Sequence, residues 1–543
     1  MGERWRLPAG MVGDPSLVRI GPGATGGADE YACPAFAAVK VRPAVRASTR
    51  SRLPKSRLET FALGPATTAL DRIEFHGVSV EKALADLRLS HKPAHPGLAS
   101  FTDHAVREYL NSGVASADLV PVRDYWVAQK TNGLTWELYA WGRRYQTEDG
   151  LRREFRFLRY NEAGARERDR TQIAIAAYAA AFGAPAPWPN RWEQQFQTRS
   201  VGVVPTFVRV VEVGLLDGSF VVHFDGSPQQ AEEYFASHGR QQISGIAADG
   251  PPRAGSTCAD CKRLTACPAP PRIPGLLGLP ARRAPLRKVS VSDLRSYQKC
   301  SAQAHLRSLN LPRANEYSDE ANLGHAVHAY LEQAHKDTRI GCGSADMPGE
   351  QDNWPAERWH LPSEMAQVGA QMLAHHPGVC AFRNAKLITD ARSEPTLTFH
   401  DTAAQAIVIA KPDLLYLDDG SWVWREVKTT QKPRWFHDDL LDEFPQLALA
   451  VVLLAESALG GDPAASRVEL EVLRPEGSEI SMIDPTDPER VTKARAVLRR
   501  LAEPWRGDEV FEAQPGRNCR WCPVSRWCPS RLDDNALENP GEA

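Results

Sequence analysis

A chain of 543 residues is too long for one hydrophobic core and calls for two to four domains. Its 42% apolar and 24% charged content is that of a globular protein, and its net charge of −2 gives no support for nucleic-acid binding by the chain as a whole. It has no run of about 18 uncharged apolar residues and no signal-peptide pattern, which leads us to expect a soluble, cytoplasmic protein.

From the N-terminus, the first marker is Cys33 in YACPAF, followed by a basic stretch from Lys40 to Arg57 of the kind solvated linkers carry. DHAVREYL (103–110), REFRFLR (153–159) and TQIAIAAYAAAFG (171–183) come next. VRVVEVGLLDGSFVVHFDGSPQQAEEYF (208–235) reads as two alternating strands around a Gly turn and then a Pro-started helix. This half ends in Cys258, Cys261 and Cys267, spaced C-x2-C-x5-C-P. Residues 268–288, PAPPRIPGLLGLPARRAPLRK, are rich in Pro and Arg, have no period, and predict an extended linker.

Beyond the linker the markers recur in the same order. Cys300 (YQKCSA) answers Cys33, GHAVHAYL (324–331) answers 103–110, and REVKTT (425–430) answers 153–159. PQLALAVVLLAE (445–456) answers 171–183, 468–494 answers 208–235, and Cys519, Cys522 and Cys528 repeat the C-x2-C-x5-C-P spacing. The lone cysteine precedes its triplet by 225 residues in the first half and 219 in the second. The expectation is an internal duplication in which each copy is closed by four thiolates. Cys33, Cys258, Cys261 and Cys267 form one set, and Cys300, Cys519, Cys522 and Cys528 the other. In a large intracellular chain such clusters are metal or cluster ligands rather than disulfides. Cys342 and Cys380 are left over.

The second half also carries chemistry. AIVIAKPDLLYLDDGSWVWREVKTT (406–430) alternates as a hairpin of two buried strands around a DDG turn. Glu426 and Lys428 share a strand face, and Asp413 on the preceding strand would lie near Glu426. Two carboxylates and a lysine suit a hard cation such as Mg²⁺ or Mn²⁺, which would stabilise charge on a phosphodiester while the lysine serves the attacking water. A bare E-x-K triplet also fits a surface hairpin with an ion pair. His328, among Leu323, Val327 and Leu331 at helical spacing, is either a further metal ligand or a helix-surface histidine. Gln446 opens the helix after the hairpin, either to position a phosphate or water or simply as a polar cap residue.

Together these residues resemble the RecB-like branch of the PD-(D/E)xK nuclease superfamily, and more narrowly its iron–sulfur members, the CRISPR-adaptation and AddB-type nucleases. The pattern is carried by SVSDLRSYQKC (290–300), Gly324 with His328, Pro412-Asp413, Glu426-Val427-Lys428, Gln446, and Cys519, Cys522 and Cys528. One departure is Ala450, where the family's Gln-x3-Tyr element has Tyr. The resemblance implies a Mg²⁺- or Mn²⁺-dependent deoxyribonuclease with His328, Asp413 and Glu426 as metal ligands, Lys428 assisting the water, and Gln446 completing the site. It also implies a structural 4Fe-4S cluster on Cys300, Cys519, Cys522 and Cys528, with a second on the Cys33 set; four cysteines equally permit zinc.

The expected fold is α/β: two restriction-endonuclease-like domains, each a central mixed sheet flanked by helices and closed by a four-cysteine site. Their boundaries are 1–267 for a degenerate copy, 268–288 for the linker, 289–530 for the active copy and 531–543 for a flexible tail. In the first copy Arg107 stands at the place of His328, and Glu154 with Arg156 replaces the E-x-K. Gly142, Arg143 and Arg144 stand near the Asp413 position, and Gln172 is kept. Its arginines, with Arg152 and Arg153, would either grip phosphates or be solvated or paired with neighbouring acids. The resemblance favours exonuclease-like trimming of DNA beside a helicase or other DNA-processing subunit, in repair or phage defence. The competing readings are a non-cutting DNA-binding or protein–protein scaffold and a zinc-clipped adaptor.

Overall fold

Pro412 divides the segment that alternation assigned to one hairpin. Proline has no N–H to donate to a ladder. Ala406–Ala410 ends before it, Leu414–Asp418 starts after it, and the two strands join different sheets. The hairpin proper pairs Leu414–Asp418 with Ser421–Thr429. Asp419 and Gly420, at φ 51° and 81°, supply the left-handed pair that a tight turn between twisted strands needs. Asp413 thus lies in the bend before a strand rather than on one.

The computed structural model describes residues 5–532 except 26–31, 50–52, 88–91, 201, 249, 315–317, 337–340, 350–353, 355–358, 360 and 432–438. Of the expected tail at 531–543, all but the first two residues lie outside the described residues, as does part of the basic stretch at 40–57. The chain forms two compact units: Met1–Pro270 with Cys300–Ala314 and Glu509–Ala543, and Pro271–Lys299 with Asn315–Asp508.

In the second unit, a five-stranded sheet runs in the order Ile388–Ser393, Leu414–Asp418, Ser421–Thr429, Arg467–Arg474 and Gly477–Ile483. Its successive pairings are antiparallel, antiparallel, parallel and antiparallel. Val423 and Val427 of the central strand pack with Leu323, Val327 and Leu331 of the helix Asp319–Lys336 and with Met372 and Leu373 of the helix Ser363–Val379. The helix Pro445–Ala455 is buried along nearly its whole length and packs on the two parallel strands and on the helix Pro488–Gly507. A second, three-stranded sheet orders Arg287–Ser290, Ala406–Ala410 and Leu397–Asp401, parallel then antiparallel. Leu276, Leu277 and Leu279, in the stretch read as a linker, are buried.

The first unit repeats this plan. Its main sheet orders Leu119–Pro121, Arg143–Thr147, Arg152–Arg159, Phe207–Gly214 and Phe220–Gly226, with the same succession of pairings. Its other sheet begins Leu17–Ile20, Leu134–Tyr139, Tyr125–Asn132, again parallel then antiparallel, and adds Ala184–Ala186. The helix Pro96–Asn111 buries Leu98, Phe101 and Ala105 in a core that includes Leu306, Val524 and Trp527 from the later segments. The Trp527 indole N–H donates to the Pro312 carbonyl at 2.7 Å, and its ring meets Phe101 edge-on at 5.1 Å.

The first-unit arginines are absorbed by the fold rather than arrayed for phosphates. Arg143 pairs with Asp71 and Glu74. Arg144 donates to the carbonyls of Asp124, Gly142 and Arg123, and Arg153 to those of Ala180, Gly183 and Val203. Arg156 binds Glu154 at 2.6 Å and the Val114 carbonyl at 3.1 Å. Arg152 lies 3.7 Å from Asp118, and Arg107, half exposed, reaches Asp103 at 3.2 Å. A guanidinium taken out of water needs partners for its charge and its donors. These carboxylates and carbonyls supply most of them, while the Nε atoms of Arg143, Arg152 and Arg153 are buried without a hydrogen-bond partner among the described residues.

Glu212, fully buried on Phe207–Gly214, forms an ion pair with Arg159 at 2.6 Å and accepts from Arg168 and from the Gly164 N–H at 3.0 Å. Burial alone would raise its pKa; His223, the Gly164 N–H and the two guanidiniums outweigh that and hold it well below the usual carboxylate range. Glu212→Gln leaves those cations without their counter-charge and should cost about 3–5 kcal/mol at neutral pH. Because the folded pKa is depressed, the ionised carboxylate stabilises above the unfolded value of about 4.3, and this is lost as pH falls through the folded value. Urea midpoints measured from pH 7 downward should therefore show the gap between wild type and variant closing below about pH 4.

Candidate functional site

Five segments of the second unit converge on one cleft of about 780 Å³. The helix Asp319–Lys336 brings His328, and the turn after Ile388–Ser393 brings Glu394. The bend after Pro412 brings Asp413, and the strand Ser421–Thr429 brings Glu426 and Lys428. Gln446, in the first turn of Pro445–Ala455, completes the lining. All five residues expected from the sequence thus line the same cleft, and Glu394 is an addition.

Asp413 is the meeting point. Its Oδ2 accepts the Val427 N–H at 2.7 Å and lies 3.5 Å from the Lys428 ammonium, while Oδ1 lies 3.2 Å from His328 Nδ1. Lys428 also donates to Glu426 Oε2 at 3.2 Å and to the Val427 carbonyl at 2.8 Å. The other Glu426 oxygen accepts the Trp424 indole N–H at 3.0 Å. Strand period two is what puts Trp424, Glu426 and Lys428 on one face.

The electrostatics follow from this crowding. Burial would raise the Asp413 pKa, but Lys428, His328 and the Val427 N–H hold it well below the ordinary carboxylate value. Glu426 moves the other way: burial raises it, and the Asp413 charge adds to that against the pull of Lys428. Burial disfavours charge on His328 and Lys428, yet the neighbouring carboxylates outweigh it and raise both. One strongly ionised carboxylate and one resistant to ionisation therefore stand beside the same ammonium.

Ligand atoms of His328, Glu394 and Asp413 lie within 4.8 Å of one another, so two carboxylates and an imidazole can share one cation. Glu394 was missed in the sequence because its position depends on the backbone. It sits at φ 45°, its N–H donates to the Asp413 carbonyl at 3.1 Å, and Lys411 pairs with its carboxylate. The only local hint is the Glu-Pro pair at 394–395 closing one strand before the next. Gln446 Oε1 is buried and has no hydrogen-bond partner among the protein groups around it. A buried amide oxygen left unpaired costs free energy, so it marks room for a donor in the cleft.

Glu154 and Arg156 in the first unit keep the i,i+2 pairing, but Glu154 is engaged by Arg156 at 2.6 Å and Arg209 at 3.2 Å. Gln172 accepts from Arg168 at 2.7 Å, so its amide oxygen is occupied where that of Gln446 is open. The cysteine sets assemble as well. Cys300, Cys519, Cys522 and Cys528 line one small cavity, all within the first compact unit. Burial, with the neighbouring thiols adding, pushes Cys522 up to about 11 and Cys261 of the other set up to about 11.

Comparison with known proteins adds a family. Residues 288–529 match the profile of the PD-(D/E)XK nuclease superfamily. No curated protein matches the chain. A Eubacterium rectale protein, named in its crystal structure only as a candidate exonuclease, is 14% identical over 46% of this chain and 92% of its own, with a TM-score of 0.28. The protein SSO0001 is 15% identical over 44% of this chain and 96% of its own, with a TM-score of 0.20. At these scores neither carries an argument here. The cleft lies wholly inside residues 288–529, the stretch that matches the PD-(D/E)XK nuclease superfamily.

Proposed function

We propose that the chain is a metal-dependent DNA nuclease, acting on ends in the manner of an exonuclease, with its active centre in the second half. The observation that carries this is the convergence of His328, Glu394, Asp413, Glu426 and Lys428 around a cleft into which Gln446 presents an unpaired oxygen. A hard divalent cation, Mg²⁺ or Mn²⁺, fits this donor set of carboxylate oxygens and one imidazole. When bound, it supplies Lewis-acid stabilisation of charge developing on the phosphodiester.

Asp413, Glu426 and His328 would hold the cation, with Glu394 beside them. Lys428, tied to both Asp413 and Glu426, orients the attacking water and offsets charge at the phosphate. Gln446 takes the remaining hydrogen bond to that water or to a phosphate oxygen. The Val427 N–H fixes the rotamer of Asp413, which spares the site that reorganisation during the reaction.

The first unit is read as a degenerate copy of the second. The support is the shared succession of strand pairings in both sheets. Arg107 and Arg156 replace His328 and Lys428, and an arginine stays protonated and cannot serve as a base. Domain limits of 1–267 and 289–530, with a linker at 268–288, belong to this reading. Four thiols around one cavity suit a 4Fe-4S cluster at Cys300, Cys519, Cys522 and Cys528, with a second at Cys33, Cys258, Cys261 and Cys267. The RecB-like resemblance of the motifs supports DNA as substrate, a helicase or similar partner, and a place in repair or phage defence. Among the described residues no helix is long and apolar enough to cross a membrane.

Anaerobically purified protein with Mn²⁺ or Mg²⁺ should degrade end-labelled single- or double-stranded DNA. Lys428→Ala should lower the rate about 10²–10⁴-fold, and Asp413→Ala should abolish it. Absence of cleavage from protein that holds its clusters would point instead to a DNA-binding scaffold. The same preparation should be brown and contain iron; Cys519→Ser with Cys528→Ser should lose the iron of that set. A colourless wild type containing zinc alone would replace the iron–sulfur assignment with zinc.

A further inference from the structure

Outside the cleft, the two cysteines left over from the quartets are not isolated. Cys342 and Cys380 stand with His335 and His376, and one ligand atom from each lies within 4.8 Å of all the others. His376 and Cys380 are fully buried, Cys342 nearly so, and His335 is 8% exposed. The spacing His-x6-Cys followed by His-x3-Cys is visible in the chain once the four are known to meet. The second histidine and cysteine fall at the end of the helix Ser363–Val379 and its C-cap.

The geometry matches a cation better than a plain polar cluster. His335 Nε2 and His376 Nε2 face each other at 3.2 Å, and Cys380 Sγ lies 4.0 Å from His335 Nε2. A tetrahedral centre with Zn–S of about 2.3 Å and Zn–N of about 2.0–2.1 Å sets N–N edges near about 3.3 Å and N–S edges near about 3.6 Å. The other His376 nitrogen, Nδ1, meets Glu471 Oε1 at 2.6 Å. A proton on Nδ1, donated to that carboxylate, leaves Nε2 as a lone pair directed at the cluster, as metal-bound histidines are held. The second Glu471 oxygen accepts from Arg425 at 3.0 Å, so the supporting carboxylate is itself oriented. The Cys342 N–H donates to Cys380 Sγ at 3.3 Å, a contact that favours a thiolate. Two thiolates and two neutral imidazoles neutralise a divalent ion, which suits a site without solvent.

We infer that His335, Cys342, His376 and Cys380 bind one structural zinc ion, apart from the nuclease cleft. Four protein ligands fill a tetrahedron and leave no open position, as in structural rather than catalytic zinc sites. Tetrahedral sulfur–nitrogen sites select zinc over the hard cations that suit the cleft. The zinc pins the helix Asp319–Lys336, about two turns beyond His328, to the helix Ser363–Val379 and to Glu471 on the strand Arg467–Arg474. The site stands or falls independently of the nuclease reading, since its readout is metal content.

The test is elemental analysis of the full-length protein beside Cys342→Ser with Cys380→Ser. Whichever metals the cysteine quartets take, the wild type should hold about one more zinc per chain than the double variant. Cys342→His, which keeps a ligand in place, should retain that zinc. Equal zinc in wild type and a double variant shown to be folded by circular dichroism would overturn the proposal. Should the double variant not fold, zinc X-ray absorption on the wild type decides. A first shell containing nitrogen beside sulfur supports the site, and a shell of sulfur alone, or no zinc, overturns it. An intact mass under non-reducing conditions that lacks the hydrogens of two thiols would assign Cys342 and Cys380 to a disulfide and overturn it as well.

Discussion

The hydrogen bond from the Val427 N–H to Asp413 Oδ2, 2.7 Å long, is the contact on which the candidate site depends. It joins the bend after Pro412 to the central strand and fixes one oxygen of a carboxylate held well below its ordinary pKa. With that oxygen held, the other faces His328 on its helix. Lys428, on the same strand as Val427, then has two carboxylates within reach. A backbone donor is well suited to this work, because it cannot rotate away as a side chain can. The break at Pro412 is equally necessary: a continuous strand would have fixed the Asp413 side chain by the pleat rather than by this contact.

Much of this was legible in the residues. Alternation located both strand pairs near 208–235 and 468–494, and the prolines at 228 and 488 do start helices. The E-x-K pair lies on one strand face because the period is two. The layout around Pro412 was misjudged, since apolar alternation continues across it while the backbone changes sheets. Glu394 left no pattern, because a turn residue is placed by local dihedrals and by a single bond to Asp413. The first-unit arginines were ambiguous because charge in a sequence does not reveal burial. Arg143 and Arg156 find partners 72 and 47 positions away, Asp71 and Tyr109, and Arg156 also finds Glu154 two positions away.

The two units show one sheet plan serving opposite electrostatic ends. In the second unit the central strand places carboxylates and a lysine around a cavity, and Gln446 is left with an open acceptor. In the first, Glu154 is closed off by Arg156 and Arg209, and the amide oxygen of Gln172 by Arg168. Arg143, Arg144, Arg153 and Arg156 there each find an acid or a carbonyl. The difference at the matching positions is an ion-paired carboxylate and an occupied amide in one unit against a cleft with an open acceptor in the other.

The chain enters and leaves the second compact unit twice, at 270/271, 299/300, 314/315 and 508/509. The residues in between, Cys300–Ala314, and those from Glu509 on contribute Leu306, Leu311, Val524 and Trp527 to a core whose other members include Leu98, Phe101 and Val106. The half that carries the cleft is therefore not a module in the sense used for domain shuffling. A fragment cut at the Pro-rich boundary would carry one side of a hydrophobic interior without the other, and bare apolar surface of that kind drives aggregation. The segments Cys300–Ala314 and Glu509 onward depend on the helix Pro96–Asn111 of the first half for their packing.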